Sequence, residues 1–305
     1  MTENWIDSYI RAGKAVNSAK ELAKKIIKPG KSFLEGANQC EEKILDSGCS
    51  LSFPINMSLN EIAAHYSPPI DDNTIIPEKG LLKIDLGSHY DGYIADSALT
   101  INLDNDKDLQ IYIDAAQAAL DAAILIFKPG KKLYELGEVI AEQIINFGLR
   151  PITNLGGHEL KRFNLHAGPF IPNYKDTTHN QILKLGDAYA CEPFTTSGVG
   201  KVTNGKYSYI YRFAKKVKKN IPYEEQGYMN KIEKLTNNLP FSPRLLEKHD
   251  IIPKNKIQRI IDSFVRKKIL SHYPILIERS GAPVAQQEDT IIIDMDGNPI
   301  VTTRK

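Results

Sequence analysis

Two copies of one tetrapeptide, Lys28-Pro29-Gly30-Lys31 and Lys128-Pro129-Gly130-Lys131, stand one hundred residues apart in a chain of 305. Each follows an amphipathic run. From Asn4 to Ile27, Trp5, Tyr9, Ala12, Val16, Ala19, Ala23 and Ile26 recur at steps of three and four. From Asp106 to Phe127, Leu109, Ile113, Ala116, Leu120 and Ala123 do the same. Proline and glycine after such a run end a helix, because proline lacks an N–H and glycine accepts a left-handed cap. A second helix follows each stop in register, with Glu35 answering Glu135, Ile44 answering Ile144 and Gly48 answering Gly148. Ser32 and Glu35 have the spacing of a capping box. KPG is also an ordinary helix terminator, but the shared order of helix, stop, helix and glycine predicts an internal duplication. A duplicated unit of two helices and a sheet places a site between its halves, with residues drawn from both.

The sheet of the first half is most legible from Lys83 to Asn102, where two strand-like runs flank Asp91-Gly92, a strong hairpin signal. With those two residues as the loop, Tyr90 faces Tyr93, Asp85 lies opposite Ala98, and Asp96 lies opposite Gly87. Side chains alternate between faces, so Asp85 and Asp96 share one face as diagonal neighbours. Two carboxylates so close repel. Protonation, a Lys or Arg partner, or a metal resolves the repulsion. The bland reading is two exposed aspartates on a wet face; the apolar neighbours Ile84, Leu86, Ile94 and Ala95 argue for partial burial and a metal.

Elsewhere in the first half, Leu51 to Ile55 reads as a short buried strand and Asn56 to Ser67 as a polar loop containing His65. The second half supplies His158 after Gly156-Gly157, and His166 eight residues later. Asp187 to Pro193 reads as a strand with Glu192 near its end and Cys191 on the opposite face. Val284 to Ile293 reads as a strand that puts Gln286 and Glu288 on one face. Between these two strands lies an insertion, 202–274, with two or three helical patterns, the clearest from Asn255 to Lys268. It lacks a low-complexity linker and is expected to pack on the main domain as a helical subdomain of a single domain, 1–305. Lys201 to Leu270 holds 17 Lys and Arg against 6 Asp and Glu, a net +11, leaving −9 for the rest of a chain whose total is +2.

Hydrophobic content of 42% and charge of 25% are those of a soluble globular chain. The sequence shows no apolar run of transmembrane length, and Met1-Thr2-Glu3-Asn4 does not open a signal peptide. Cys40, Cys49 and Cys191 lack metal-knuckle spacing, and their odd number argues against a disulfide framework. A reducing cytoplasm is the expected compartment, with no membrane partner.

Asp85, Asp96, His158, Glu192 and Glu288 form a donor set of four carboxylates and one imidazole, enough to balance two divalent cations. Oxygen-rich ligation with one nitrogen and no thiolate suits Mn, Fe(II), Co or Zn. Two such ions polarise a substrate oxygen and supply hydroxide, which is the chemistry of hydrolysis.

At this point the chain resembles the type II methionine aminopeptidases of the compact archaeal kind, over nearly its whole length. The matching runs are Phe53-Pro54-x-Asn56-x-Ser58-x-Asn60-x-x-Ala63-Ala64-His65, Lys83-Ile84-Asp85-Leu86-Gly87 through Gly92 to Asp96, Asn154-Leu155-x-Gly157-His158 through Leu165-His166-Ala167-Gly168, Glu192-Pro193-Phe194, and Ala285-Gln286-x-Glu288-x-Thr290-Ile291. The resemblance implies an α/β pita-bread (creatinase/aminopeptidase) fold, with pseudo-twofold halves and a helical type II insertion. It implies a dinuclear-metal aminopeptidase that removes the initiator methionine from nascent proteins and peptides by hydroxide attack on the first carbonyl. Asp85 would chelate the first ion, Asp96 and Glu288 would bridge both, and His158 and Glu192 would complete the second site. The metals would be Co, Mn, Fe(II), Zn or Ni. Glu192 would also shuttle a proton, His65 and His166 would contact the scissile amide and leaving group, Phe53, Leu165 and Tyr273 would line the methionine pocket, and Gln286 would support the ligands. A monomer is expected. Two departures are the absence of the long charged N-terminal extension of eukaryotic members and the presence of Gln287 where relatives commonly carry an aromatic or small residue.

Three other readings compete: an Xaa-Pro peptidase, which shares the five-ligand logic but lacks the insertion; a catalytically silent pita-bread module that binds ribosomes or nucleic acid; and a helix-turn-helix reader around Arg244–Lys248 and Asn255–Lys268. The intact donor set favours the enzyme. The basic insertion suggests weak, salt-sensitive ribosome association through Lys215, Lys216, Lys218, Lys219 and Arg266-Lys267-Lys268.

Overall fold

The computed structural model describes residues 5–214 and 221–304. The repeat becomes two helix pairs, α1 (Trp5–Ile26) with α2 (Phe33–Asp46), and α3 (Lys107–Ile126) with α4 (Leu133–Asn146). Gly30 and Gly130 take the left-handed conformation that stops each first helix, with φ of 79° and 89°. The two stops bond alike. Gly30 N donates to Ile76 O and Gly130 N to Leu183 O, while Ile76 N donates back to Lys31 O and Leu183 N to Lys131 O. Each stop faces an aspartate turn: Asp72 Oδ1 accepts from Thr74 N at 2.9 Å and Asp176 Oδ1 from Thr178 N at 3.0 Å. The duplication thus extends into turns that the tetrapeptide did not reveal. The second helices start differently. Ser32 Oγ accepts from Glu35 N at 3.3 Å, whereas at the equivalent start Glu135 Oε2 accepts from Lys132 N at 2.8 Å.

In the first half, α1 and α2 cover the sheet of β1 (Ser50–Leu59), β3 (Leu81–Tyr90) and β4 (Tyr93–Asn102), with β3 central. Val16, Ile27, Ile44, Met57, Leu82 and Leu86 fill the space between. The hairpin has the expected register: Tyr90 pairs with Tyr93, Gly87 with Asp96, and Asp85 with Ala98. Asp91 and Gly92 both have positive φ, 49° and 83°, as a two-residue turn of this hand requires.

In the second half, α3 and α4 cover a sheet ordered β14-β13-β8-β6-β7, made of β6 (Gly156–Glu159), β7 (Phe170–Pro172), β8 (Ala188–Cys191), β13 (Asp289–Ile293) and β14 (Pro299–Val301). By length and composition α3 could cross a membrane, which the sequence reading missed; its Ala115, Ala119, Leu120 and Ala123 are packed in the core of this half. The halves meet where β4 runs past β13. Thr290 Oγ1 accepts from Asp96 N and donates to Asp96 O, both at 2.8 Å, and Glu288 N donates to Ala98 O at 3.1 Å.

The structure corrects two expectations about strands. Val284 to Ile293 is not one strand: β12 (Val284–Gln286) pairs with β9 (Phe194–Thr196), which also pairs with β5 (Arg150–Pro151), and β13 belongs to the five-stranded sheet. The breaks at Gln287-Glu288 and Glu192-Pro193 lie side by side, with Gln287 N donating to Pro193 O at 3.3 Å. Pro193 lacks the N–H needed to continue the ladder, so β8 ends before it, and the neighbouring chain breaks alongside at Gln287-Glu288. The stretch from Asn56 to Ser67 is not a loop throughout. β1 runs on to Leu59 and β2 (Ile62–Ala64) follows, because Met57, Ala63 and Ala64 are buried.

The insertion begins and ends in strand. β10 (Val202–Phe213) and β11 (Leu270–Glu278) pair antiparallel and extend from β2, enclosing α5 (Tyr223–Thr236), α6 (Pro243–Lys248) and α7 (Ile257–Arg266). These helices share a core of Ile232, Phe241, Leu246, Ile261 and Phe264. The helix-turn-helix reading fails on α6. That helix has six residues, and Arg244 turns inward to Glu41 Oε1 at 2.8 Å and Pro68 O at 2.7 Å.

Candidate metal centre

Asp85 hangs from β3, Asp96 from β4 and His158 from β6, while Glu192 and Glu288 sit at the two adjacent strand breaks. All five line one cavity of about 210 Å³. Donor atoms of Asp96, His158 and Glu288 lie within 4.8 Å of one another. His158 Nε2 is 3.5 Å from Asp96 Oδ2 and 3.9 Å from Glu192 Oε1. The breaks explain why Glu192 and Glu288 face inward together: each leaves its ladder where the neighbouring chain does.

Burial, before anything else, pushes the site carboxyls up from their ordinary range, Asp85 to about 7. For Asp96, Glu192 and Glu288 burial is again the first cause, and neighbouring site carboxylates add to it. Two amides oppose the rise. Asn56 Nδ2 donates to Asp85 Oδ2 at 3.1 Å, and Gln286 Nε2 donates to Glu192 Oε2 at 3.2 Å. Among the described residues, the only ion-pair partner of any of the four is His158, whose imidazole burial pushes down to about 4 and so keeps neutral. Asp85 Oδ1 and Asp96 Oδ1 are buried without a hydrogen-bond partner. A Lys or Arg partner is therefore not how the described residues resolve the repulsion. Orphaned carboxylate oxygens beside a neutral imidazole, with no thiolate, fit a divalent cation. Cys191 packs in the core of the second half, away from the cavity.

The opposite wall holds the remaining candidates. Phe53, His65, Leu165, His166 and Tyr273 all line the same cavity. His65 Nδ1 lies 3.1 Å from Pro274 O. A carbonyl only accepts, so Nδ1 carries the proton and Nε2 is the free acceptor. The His65 ring meets Tyr273 edge-on at 5.4 Å; the His166 ring is 4.3 Å from that of His158 and 6.1 Å from that of Tyr273. Burial lowers both His65 and His166, so both are neutral at neutral pH. Sequence reasoning assigned no role to Asn56, Thr290 or Ile210. Asn56 and Thr290 stood in quoted motifs, so their positions were legible; Ile210 is found only through contacts across the fold.

The metallopeptidase family M24 matches residues 7–233. The chain is 39% identical to a methionine aminopeptidase of Pyrococcus horikoshii, across 97% of this chain and 99% of that protein. It is 37% identical to a methionine aminopeptidase of Methanothermobacter thermautotrophicus, across 97% of this chain and 98% of that one. Its fold matches the crystal structure of a methionine aminopeptidase from Thermotoga maritima with a TM-score of 0.72 at 20% identity, covering 100% of this chain and 98% of that chain.

Proposed function

We infer the activity from two premises: this chain belongs to metallopeptidase family M24, and its halves enclose four carboxyls, two buried and two half-buried, with one neutral imidazole. The fold is the pita-bread fold, and the family is metal-dependent. The chain is a metallo-aminopeptidase that removes methionine from the N-termini of peptides and nascent proteins. The observation that carries this reading is the convergence of Asp96, His158 and Glu288 donors within 4.8 Å, with no described lysine or arginine to neutralise them.

In this reading Asp85, Asp96, His158, Glu192 and Glu288 hold two divalent ions, of Co, Mn, Fe(II), Zn or Ni. Bound there, such ions supply Lewis-acid polarisation of a carbonyl and hydroxide near neutral pH. The chain's own groups do the rest. Phe53, Leu165 and Tyr273 enclose the apolar methionine side chain. Glu192 accepts a proton and passes it toward the leaving nitrogen. His65 and His166, neutral and lining the cavity, hydrogen-bond the scissile amide and its leaving group, His65 as an acceptor through Nε2. A silent binding module would not need this donor set. The test is metal analysis of protein purified without chelators, with hydrolysis of a methionyl peptide titrated per metal equivalent. Activity that rises to a plateau at two equivalents supports the reading; no hydrolysis with two ions bound overturns it.

A monomer in the cytoplasm, working beside the ribosome, goes with this activity. Weak ribosome association rests on the basic insertion. Lys215, Lys216, Lys218 and Lys219 lie outside the described residues, and Lys267 is engaged by Glu225, which leaves Arg266 and Lys268 as the described contributors. Cosedimentation at low and moderate salt, with these residues changed to glutamine, tests it. Equal pelleting of wild type and variant ends the idea.

A further inference from the structure

β10 carries a charged group that this mechanism leaves unused. Ile210 and Tyr273 pair across β10 and β11, and both line the cavity. Paired residues stand on one face of a sheet, and the face repeats every second residue. Arg212, paired with Ser271, therefore stands on the cavity face one step beyond that wall. Its guanidinium carbon is 5.4 Å from the centre of the Tyr273 ring. The rings of His158, His166 and Tyr273 follow one another at 4.3 and 6.1 Å, so Arg212 comes at the outer end of a line that starts at the carboxyl floor. It is near enough for its charge to help depress the His166 imidazole.

Arg162, Arg244 and Arg304 each have a carboxylate within ion-pair distance. Among the described residues Arg212 has none, although it is partly buried. A guanidinium backed by an aromatic ring and lacking an internal acid presents a fork that matches a carboxylate. A peptide's polarity fits this layout. Its cationic amino end is drawn to the carboxyl floor, and the chain beyond the scissile bond leaves past His166 and Tyr273 toward the rim.

We propose that Arg212 is a substrate-binding residue that receives a carboxylate of the peptide on the leaving side of the scissile bond. The group is either an acidic side chain downstream of the methionine or the terminal carboxylate of a short peptide. This deepens the aminopeptidase reading and rests on it. The metal-loaded full chain would be assayed on three methionyl tetrapeptides: one neutral and amidated, one amidated with aspartate at the third position, and one neutral with a free C-terminus. Wild type should favour at least one of the anionic peptides over the neutral one by about tenfold in kcat/KM, mostly through KM, as a charge-assisted hydrogen bond provides. The arm that shows the preference identifies which carboxylate is bound. In Arg212→Gln that ratio should fall to about one, and Arg212→Lys should restore part of it, because the charge returns without the fork. Equal ratios in wild type and Arg212→Gln, or a wild type indifferent to both anionic peptides, overturn the assignment while leaving the activity standing. Failure to cleave any of the three overturns both.

Discussion

One amide, that of Gln286, donates at 3.2 Å both to Oε2 of Glu192 and to Oε2 of Glu288. It joins two carboxyls from separate strand breaks that would otherwise repel each other. Replacing it frees both to turn away from the cavity. Gln286→Ala should weaken metal binding or activity by roughly 10–100-fold, the usual effect of removing a group that orients ligands. Calorimetric metal titration with a thermal melt checks this: metal affinity should fall while the fold is retained, and unchanged affinity and activity would show that the bridge orients nothing.

His65 does its work on substrate. His65→Ala should keep the metal stoichiometry of the wild type and lower kcat by about 10²–10⁴, the range for a positioned proton donor or acceptor. Metal analysis of the variant decides. Loss of an ion would make His65 a ligand, through the Nε2 that its hydrogen bond from Nδ1 to Pro274 O leaves free, and would overturn its assignment to substrate.

Metal removal should make stability depend on pH in a defined direction. The four site carboxyls are raised by burial and by one another, Asp85 to about 7. The folded chain then binds more protons than the unfolded one, and stability falls as pH rises from about 4 through those raised values. The buried imidazoles act oppositely. His89 and His158 are held at about 4, and His65 and His166 are lowered too. The stability these four lose on acidification is fully present above about 6.5, the unfolded histidine value. Between about pH 6.5 and 8.5 the histidines no longer contribute, but Lys83, which burial lowers to about 7, gains stability as pH rises and opposes the carboxyls. Lys83 acts alike with and without metal, so the carboxyl effect is read from the gain in Tm on adding divalent metal, which should widen over that interval. A gain that stays constant with pH would show that the carboxyls are not raised.

Arg244 and Glu41 form a buried pair that fastens the insertion to α2, and Arg244 also reaches Ser67 Oγ and Pro68 O just beyond His65. Arg244→Ala strands Glu41 and should cost about 3–5 kcal/mol. Lys248→Ala, which removes an exposed pair with Glu42, should cost about 1 kcal/mol or less. Denaturant unfolding of the two variants compares them directly, and equal costs would show that the buried pair fastens nothing.

How far these features could be read in advance depended on their range. Register in the Asp91-Gly92 hairpin was legible because a two-residue turn and strand alternation determine every pair, Asp85 and Asp96 included. The helix stops were legible because their glycines act within a few residues. The strand breaks at Glu192-Pro193 and Gln287-Glu288 were not, since each is made by the other across ninety-odd residues of chain. Arg244 read as part of a helix-turn-helix because its acid partner lies 203 positions away. Met57, Ala63 and Ala64 read as loop because their burial comes from packing that periodicity does not report, whereas His65 does lie outside the strands.

The seam between the halves has a consequence for how the chain could be taken apart. Asp85 and Asp96 precede the connection from β4 to α3; His158, Glu192 and Glu288 follow it. Cutting in that connection, at 103–106, would give two fragments, each with its own helix pair and neither with the whole donor set. Divalent metal would then act as the ligature for their reassembly, and recovery of hydrolysis on mixing would report complementation without any label.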